Sequence, residues 1–203
     1  KNTPSLDDPR GLKLDWKQPQ TAWLSDQRPT VVKRAIDALA SEQKIGELHN
    51  ANARIPALWS LHRIQSQPAR RAVREFLNDT NSDVRVAAIH SVGLWRDQDA
   101  VKQLIELLSD NDPQVRRLAA MALGRIGDRR AMTPLLKTYS RTADPFLNHA
   151  VIYGLYEIDD IESLPAHHPA ATQVRLMREI DQQNVTPDEF PEIQLAKVVE
   201  LPP

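Results

Sequence analysis

The 203-residue sequence contains no cysteine. This absence excludes thiolate catalysis, cysteine-ligated zinc, iron–sulfur clusters and covalent haem attachment through CxxCH, and it leaves the redox compartment undetermined. The chain also lacks an excess of charge of either sign, because 26 Lys and Arg stand against 27 Asp and Glu. Such a balance provides no field that gathers phosphates or anionic lipid. We therefore expect neither nucleic acid nor membrane insertion.

Long apolar runs and short catalytic motifs are missing as well. No segment approaches the roughly 18 consecutive apolar residues of a membrane span, and GxGxxG, GxxxxGK[ST] and GxSxG are all absent. The acidic residues Asp159, Asp160 and Glu162 follow a predicted helix end, where solvation is a better interpretation than an acid/base pair. The sequence predicts no catalytic residues and a protein that is not an enzyme.

Six histidines raise the question of a metal site, at positions 49, 62, 90, 149, 167 and 168. Helical repeats that hold two irons use His-Glu pairs, and no His-Glu dipeptide occurs in this sequence. The readiest adventitious ligand is the pair His167 and His168 in a loop. We predict no metal and no cofactor.

A repeat of about 31 residues dominates the sequence. Residues 84–97 align without gaps on residues 115–128, and the same frame continues at 147–160 and backwards at 53–66. A degenerate copy begins at Val31, and the short interval before 53 predicts an irregular second helix near residues 42–51.

Each copy carries apolar residues at its first position and four, five, eight and eleven residues later, which places them on one stripe of an α-helix. A second amphipathic run follows, as in residues 100–108 and 131–139, so each unit is predicted to be a pair of helices. Such a pair cannot bury both stripes alone, and neighbouring units must stack. The predicted stripe comprises Val84, Ala88, Ile89, Val92, Trp95, Val115, Ala119, Ala120, Leu123, Ile126, Leu147, Val151, Ile152, Leu155 and Ile158.

Residues 107–128 resemble the HEAT-like repeat first associated with phycobilisome lyases. The resemblance implies an all-α fold, a right-handed α-α superhelix of the HEAT/armadillo-like solenoid class with about five helix pairs. We expect the solenoid to cover residues 29–183. Residues 1–28 are predicted to be a leading linker with a short helix, and residues 184–203 an extended or disordered tail.

In HEAT repeats an Asp in the turn and an Arg six residues later form a ladder between neighbouring units. Two copies have this spacing, Asp79 with Arg85 and Asp110 with Arg116. The resemblance implies that these four residues fix the stacking angle through charge-assisted bonds. The first and last copies depart from the pattern, since Leu48 precedes Arg54 by six residues and Asn148 replaces the Arg. We expect less regular stacking at both ends.

Opposite the buried stripe, the first helix of each copy carries an apolar and aromatic face, which in HEAT arrays lines the concave side. The functional interpretation is a contact surface for a protein partner. The alternative is that curvature and the flanking segments 1–28 and 169–203 bury it. The predicted interaction strip comprises Ile55, Trp59, His62, His90, Arg117, Met121, His149, Tyr153 and Tyr156, with Val86 on the same face.

Residues 8–16, 57–64, 89–94 and 144–153 resemble the HEAT segment of large exported proteins from planctomycetes and related bacteria. There the segment lies between a β-propeller of sugar-dehydrogenase type and a cytochrome-like haem domain. The resemblance implies a periplasmic or secreted multidomain protein. This chain does not begin with Met. The resemblance implies that it is a fragment of such a protein, where it acts as a scaffold or spacer and contacts other domains of the same polypeptide.

Two other functions remain open at this stage. One is a chaperone or lyase-like subunit that holds a tetrapyrrole-bearing protein in a groove. The other is a nucleic-acid-binding HEAT array, which requires a basic concave face. Arg117 is the one cation on the predicted strip, and the basic group Arg63, Arg70, Arg71 and Arg74 is interspersed with acidic residues. The sequence therefore favours the protein-interaction scaffold.

Overall fold

A computed structural model describes residues 8–139 and 144–182, and every regular element in these two ranges is helical. Within these ranges ten helices follow one another as five successive pairs, which confirms the predicted α-α solenoid. The pairs are α1 Pro29–Ser41 with α2 Ile45–His49, α3 Arg54–Arg63 with α4 Gln67–Glu75, α5 Ser82–Leu94 with α6 Val101–Leu107, α7 Pro113–Ile126 with α8 Met132–Thr138, and α9 Pro145–Ile158 with α10 Pro169–Gln182. Short 3-10 turns at Thr21–Ser25, Phe76–Asn78, Gln98–Ala100 and Arg129–Ala131 complete the helical structure.

Local sequence signals set where the first helices of the middle and last units begin and end. Side-chain oxygens of Asn81, Asp112 and Asp144 accept hydrogen bonds from the free N–H groups at the starts of α5, α7 and α9. Each of these helices is followed by a residue with a left-handed backbone conformation. This residue lies twelve positions after the first residue of its repeat copy. Gly127 takes it at no steric cost with φ of 76°, whereas Asp159 does so at 58°.

The predicted apolar stripe forms the core. Fourteen of its fifteen residues are buried, and the exception is Trp95, which is half-buried. One cluster of buried side chains runs continuously from Leu24 to Val174. Stacked units therefore share a single core, as expected for repeats that cannot bury their stripes alone.

The first helices form one layer, in which α1, α3, α5, α7 and α9 each contact the next. The second helices pack behind them, and α2 has only five residues, as the short spacing before residue 53 predicts. The most extensive contact joins α7 and α9. Two glycines explain it, because a Cβ on Gly124 would lie 2.4 Å from Gly154 Cα.

Residues 8–28, in the segment predicted to be a leading linker with a short helix, pack against the first helix α1. Leu24 is buried, the indole Nε1 of Trp16 donates to Gly11 O at 2.7 Å, and the Arg34 guanidinium lies 4.1 Å above the Trp16 ring. This segment packs onto α1 because the first helix has no preceding unit to cover its apolar side. The predicted tail, 184–203, lies outside the described residues.

No helix within the described ranges is long and apolar enough to cross a membrane. In the same ranges there is no group of three or more His, Asp or Glu side chains placed to hold a metal ion.

Candidate interaction surface

All nine residues of the predicted interaction strip lie on the first helices α3, α5, α7 and α9. His90, His149 and Tyr153 are exposed, and the other six residues are half-buried. The strip is therefore neither a fully open surface nor a part of the core. Its neighbours divide it into three regions with different surroundings.

Aromatic rings pack together at the α3 and α5 part of the strip. The ring of Trp59 lies 5.9 Å from that of His90, and His62 stacks on Trp95 with ring centroids 4.8 Å apart. His62 Nδ1 and the hydroxyl of buried Ser91 are 2.8 Å apart. We call Trp59, His62, His90 and Trp95 the ring cluster. Sequence reasoning placed Trp95 in the core, whereas its indole lies at the edge and stacks on His62.

The ring cluster makes stability depend on pH. Desolvation by burial, assisted by the positive charges of Arg63 and His90, lowers the pKa of His62 below its ordinary value of 6.5. The unfolded chain therefore binds more protons at this site than the folded chain, and stability falls as pH drops below 6.5. We expect His62→Gln to flatten this slope when unfolding midpoints are compared across that range. A His149→Gln variant, altered at an exposed position, should keep the slope of the unmodified chain.

Helix α10 covers one end of the strip. The Arg178 guanidinium lies 3.9 Å over the Tyr156 ring, and the Tyr156 hydroxyl donates to the Asp181 carboxylate. Tyr156 is therefore covered by the flanking segment 169–203, through helix α10, which is the alternative that the sequence left open for the whole strip. Tyr156 is thus part of the packing between α9 and α10 rather than of an open surface.

An open groove lies between α7 and α9, and it encloses about 420 Å³. Four of its seven lining residues belong to the predicted strip, and three were not predicted. The lining residues are Arg117, Met121, Arg125, Phe146, His149, Ala150 and Tyr153. We call this feature the α7/α9 groove.

Two facing stripes form the groove. Arg117, Met121 and Arg125 recur every four residues along α7, and on α9 Phe146 and Tyr153 are seven residues apart. Arg125 and Phe146 escaped sequence reasoning because the predicted face was defined by repeat positions common to all copies. The spacing of Phe146, His149 and Tyr153 at i, i+3 and i+7 could have indicated the aromatic side of the groove.

The groove carries positive charge that the described part of the chain does not neutralise. Within those ranges no ion pair involves Arg117 or Arg125. At its rim, Tyr153 hydrogen-bonds Glu157, which raises the pKa of the Tyr153 hydroxyl, and the charge of Arg125 acts in the opposite direction. Phe146 is 67% exposed, so a large apolar side chain of the groove faces solvent.

The ladder residues contact one another across neighbouring units. Arg85 Nη2 donates to the carboxylate of Asp110 at 2.9 Å, 25 residues further along, and Arg85 Nη1 donates to the main-chain oxygen of Asp79 at 2.8 Å. The six-residue spacing therefore reflects a bond to the backbone, while the carboxylate belongs to the next unit. Arg116 likewise donates to the main-chain oxygen of Asp110 at 2.8 Å.

Arg54 also takes part in these contacts, although the expected Asp does not precede it. Its guanidinium donates to the Asp79 carboxylate at 2.6 Å. The carboxylate that Arg54 contacts therefore lies in the following turn rather than six positions before it.

Stacked helix pairs with one continuous core define an α-α solenoid. HEAT repeats match residues 47–111 and 101–166, together more than half of the chain, and the chain belongs to the HEAT-repeat family. No curated protein matches this chain. HEAT repeats are generally protein-interaction scaffolds, and their helical fold is typically non-catalytic.

Proposed function

We propose that this HEAT array is a non-catalytic scaffold that holds a protein partner in the α7/α9 groove. One observation carries the proposal. Arg117 and Arg125, which form no ion pair in the described ranges, line one side of an open groove of about 420 Å³, and exposed aromatic side chains line the other. Aromatic and arginine side chains are the groups most enriched among residues that dominate binding energy at protein interfaces. The groove brings both together.

The two helices that form the walls of the groove pack closely against each other, which favours a preformed groove. A Cβ on Gly124 would lie 2.4 Å from Gly154 Cα. A preformed groove loses little conformational freedom when a partner binds, so more of the contact energy remains as affinity.

The partner belongs to the same polypeptide in this proposal, which makes the array a scaffold or spacer between domains of a larger exported protein. The support is the resemblance of residues 8–16, 57–64, 89–94 and 144–153 to the HEAT segment of such proteins. The mechanism is geometric. The stacked units hold the partner bound in the groove at a fixed distance and angle from the domains at the two ends of the array.

Capture from an extract of the source organism tests the proposal. We expect Phe146→Ala combined with Tyr153→Ala to lower the recovery of a specific protein by at least about tenfold, since two interface aromatics contribute more than about 1.4 kcal/mol. The matched control is Leu12→Ala with Leu94→Ala, which removes two exposed apolar side chains elsewhere on the surface, 69% and 50% accessible. Equal recovery with both double variants would refute the groove as the contact surface.

A further inference from the structure

The spacing of the two groove arginines specifies a ligand pattern. Arg117 and Arg125 are eight residues apart on one helix, so their backbone positions differ by about 12 Å along the α7 axis at 1.5 Å per residue. Met121 lies midway, facing Tyr153 across the groove. A ligand that contacts all three residues offers a carboxylate to each arginine and a large apolar group to Met121 between them. The two carboxylates are then about 12 Å apart.

An extended peptide supplies this pattern at alternate positions. Side chains at i, i+2 and i+4 share one face, and four residues span about 13 Å at 3.3 Å per residue. The required sequence is therefore acidic-x-apolar-x-acidic. The chain itself contains it at Asp188, Phe190 and Glu192.

The position of α10 brings that sequence within reach of the groove. Asp181, in the last turn of α10, accepts a hydrogen bond from Tyr156, whose ring lies 6.5 Å from that of Tyr153 on the groove wall. Five residues lie between Gln182 and Asp188, and the six steps from one Cα to the next span at most about 20 Å. This path arrives at the Arg125 end of the groove, because Tyr156 and Arg125 lie in the last turns of α9 and α7, which meet at Gly154 and Gly124.

We infer that residues 188–192 of the chain bind in its own α7/α9 groove, with Asp188 paired to Arg125, Phe190 between Met121 and Tyr153, and Glu192 paired to Arg117. The segment then competes with the partner, and the scaffold controls its own occupancy. The inference rests on the proposed function only in that both use the same groove.

Methyl NMR of the full chain, labelled at the methionine methyl groups, tests the inference without any partner. The sequence has three methionines, and Met121 lines the groove while Met132 is buried in α8. We expect Asp188→Asn with Glu192→Gln to move the Met121 signal and to leave that of Met132 in place. The matched control is Glu189→Gln with Glu200→Gln, which removes the same charge from the same part of the sequence but off the proposed contact face.

Identical Met121 signals in the two double variants would overturn the inference. A difference between them that disappears on dilution would also overturn it, because the segment would then come from a second copy of the chain. Capture experiments separate this result from the proposed function: neutralising Asp188 and Glu192 should raise recovery of the partner. A shifted Met121 signal with no partner captured by any variant would support the inference while refuting the proposed function.

Discussion

Gly124→Ala is expected to destabilise the fold by about 3 kcal/mol. A Cβ at this position would lie 2.4 Å from Gly154 Cα and 2.8 Å from Gly154 O, which are backbone atoms of the neighbouring helix. Neither can move without separating α7 from α9, the most extensive helix contact in the chain. The gain of about 1 kcal/mol in helix propensity offsets only part of this cost. Chemical denaturation monitored by circular dichroism measures the loss.

Gly46→Ala provides the matched control, because it is also a helical glycine but a Cβ there meets nothing within 4 Å. We expect this variant to be as stable as the unmodified chain, or more stable by up to about 1 kcal/mol. If Gly124→Ala had no larger effect than Gly46→Ala, the close approach of α7 and α9 would not determine the stacking of the last two units.

The same α7 and α9 contact shows why the fold was predictable from the sequence. Apolar residues recurring at intervals of about 31 residues required helix pairs, and pairs that cannot bury their apolar stripes alone had to stack. These are local consequences of side-chain size and spacing. Trp95 failed the same argument, since it lies just past the end of α5, where its indole is half-buried and stacks on His62.

The candidate site was predictable only in part, because a groove belongs to two helices. Sequence positions shared by all copies identified Met121 and Tyr153, which occupy the same place in their units. They could not identify Arg125 and Phe146, which line the same groove only because α7 and α9 pack side by side. The packing of residues 8–28 onto α1 was missed for a similar reason, since Trp16 and Trp23 contact each other at 4.8 Å outside any repeat.

The ladder shows the same limit in its register. A six-residue spacing is visible within one copy, whereas the partner of Arg85 lies 25 residues away in the next turn. Stacking geometry alone brings those two groups together. The substitutions that test the ladder must therefore be chosen from the structure.

Arg85→Ala is expected to lower the free energy of unfolding by about 2–4 kcal/mol, because it leaves the Asp110 carboxylate without its cation and the Asp79 main-chain oxygen without a donor. The side chains of Arg85 and Asp110 are only 14% and 11% exposed, so water compensates poorly. We expect a smaller loss of about 1–2 kcal/mol for Arg116→Ala, whose described bonds reach the main-chain oxygens of Asp110 and Asn111.

A double-mutant cycle between Arg85→Ala and Asp110→Ala then isolates the contact between the two units. Coupling of about 1 kcal/mol or more is expected for this pair. The cycle between Arg116→Ala and Asp110→Ala should show much less, since Arg116 bonds the backbone of Asp110 rather than its carboxylate. Equal coupling in the two cycles would mean that the six-residue spacing, and not the contact with the next unit, is what stabilises the array.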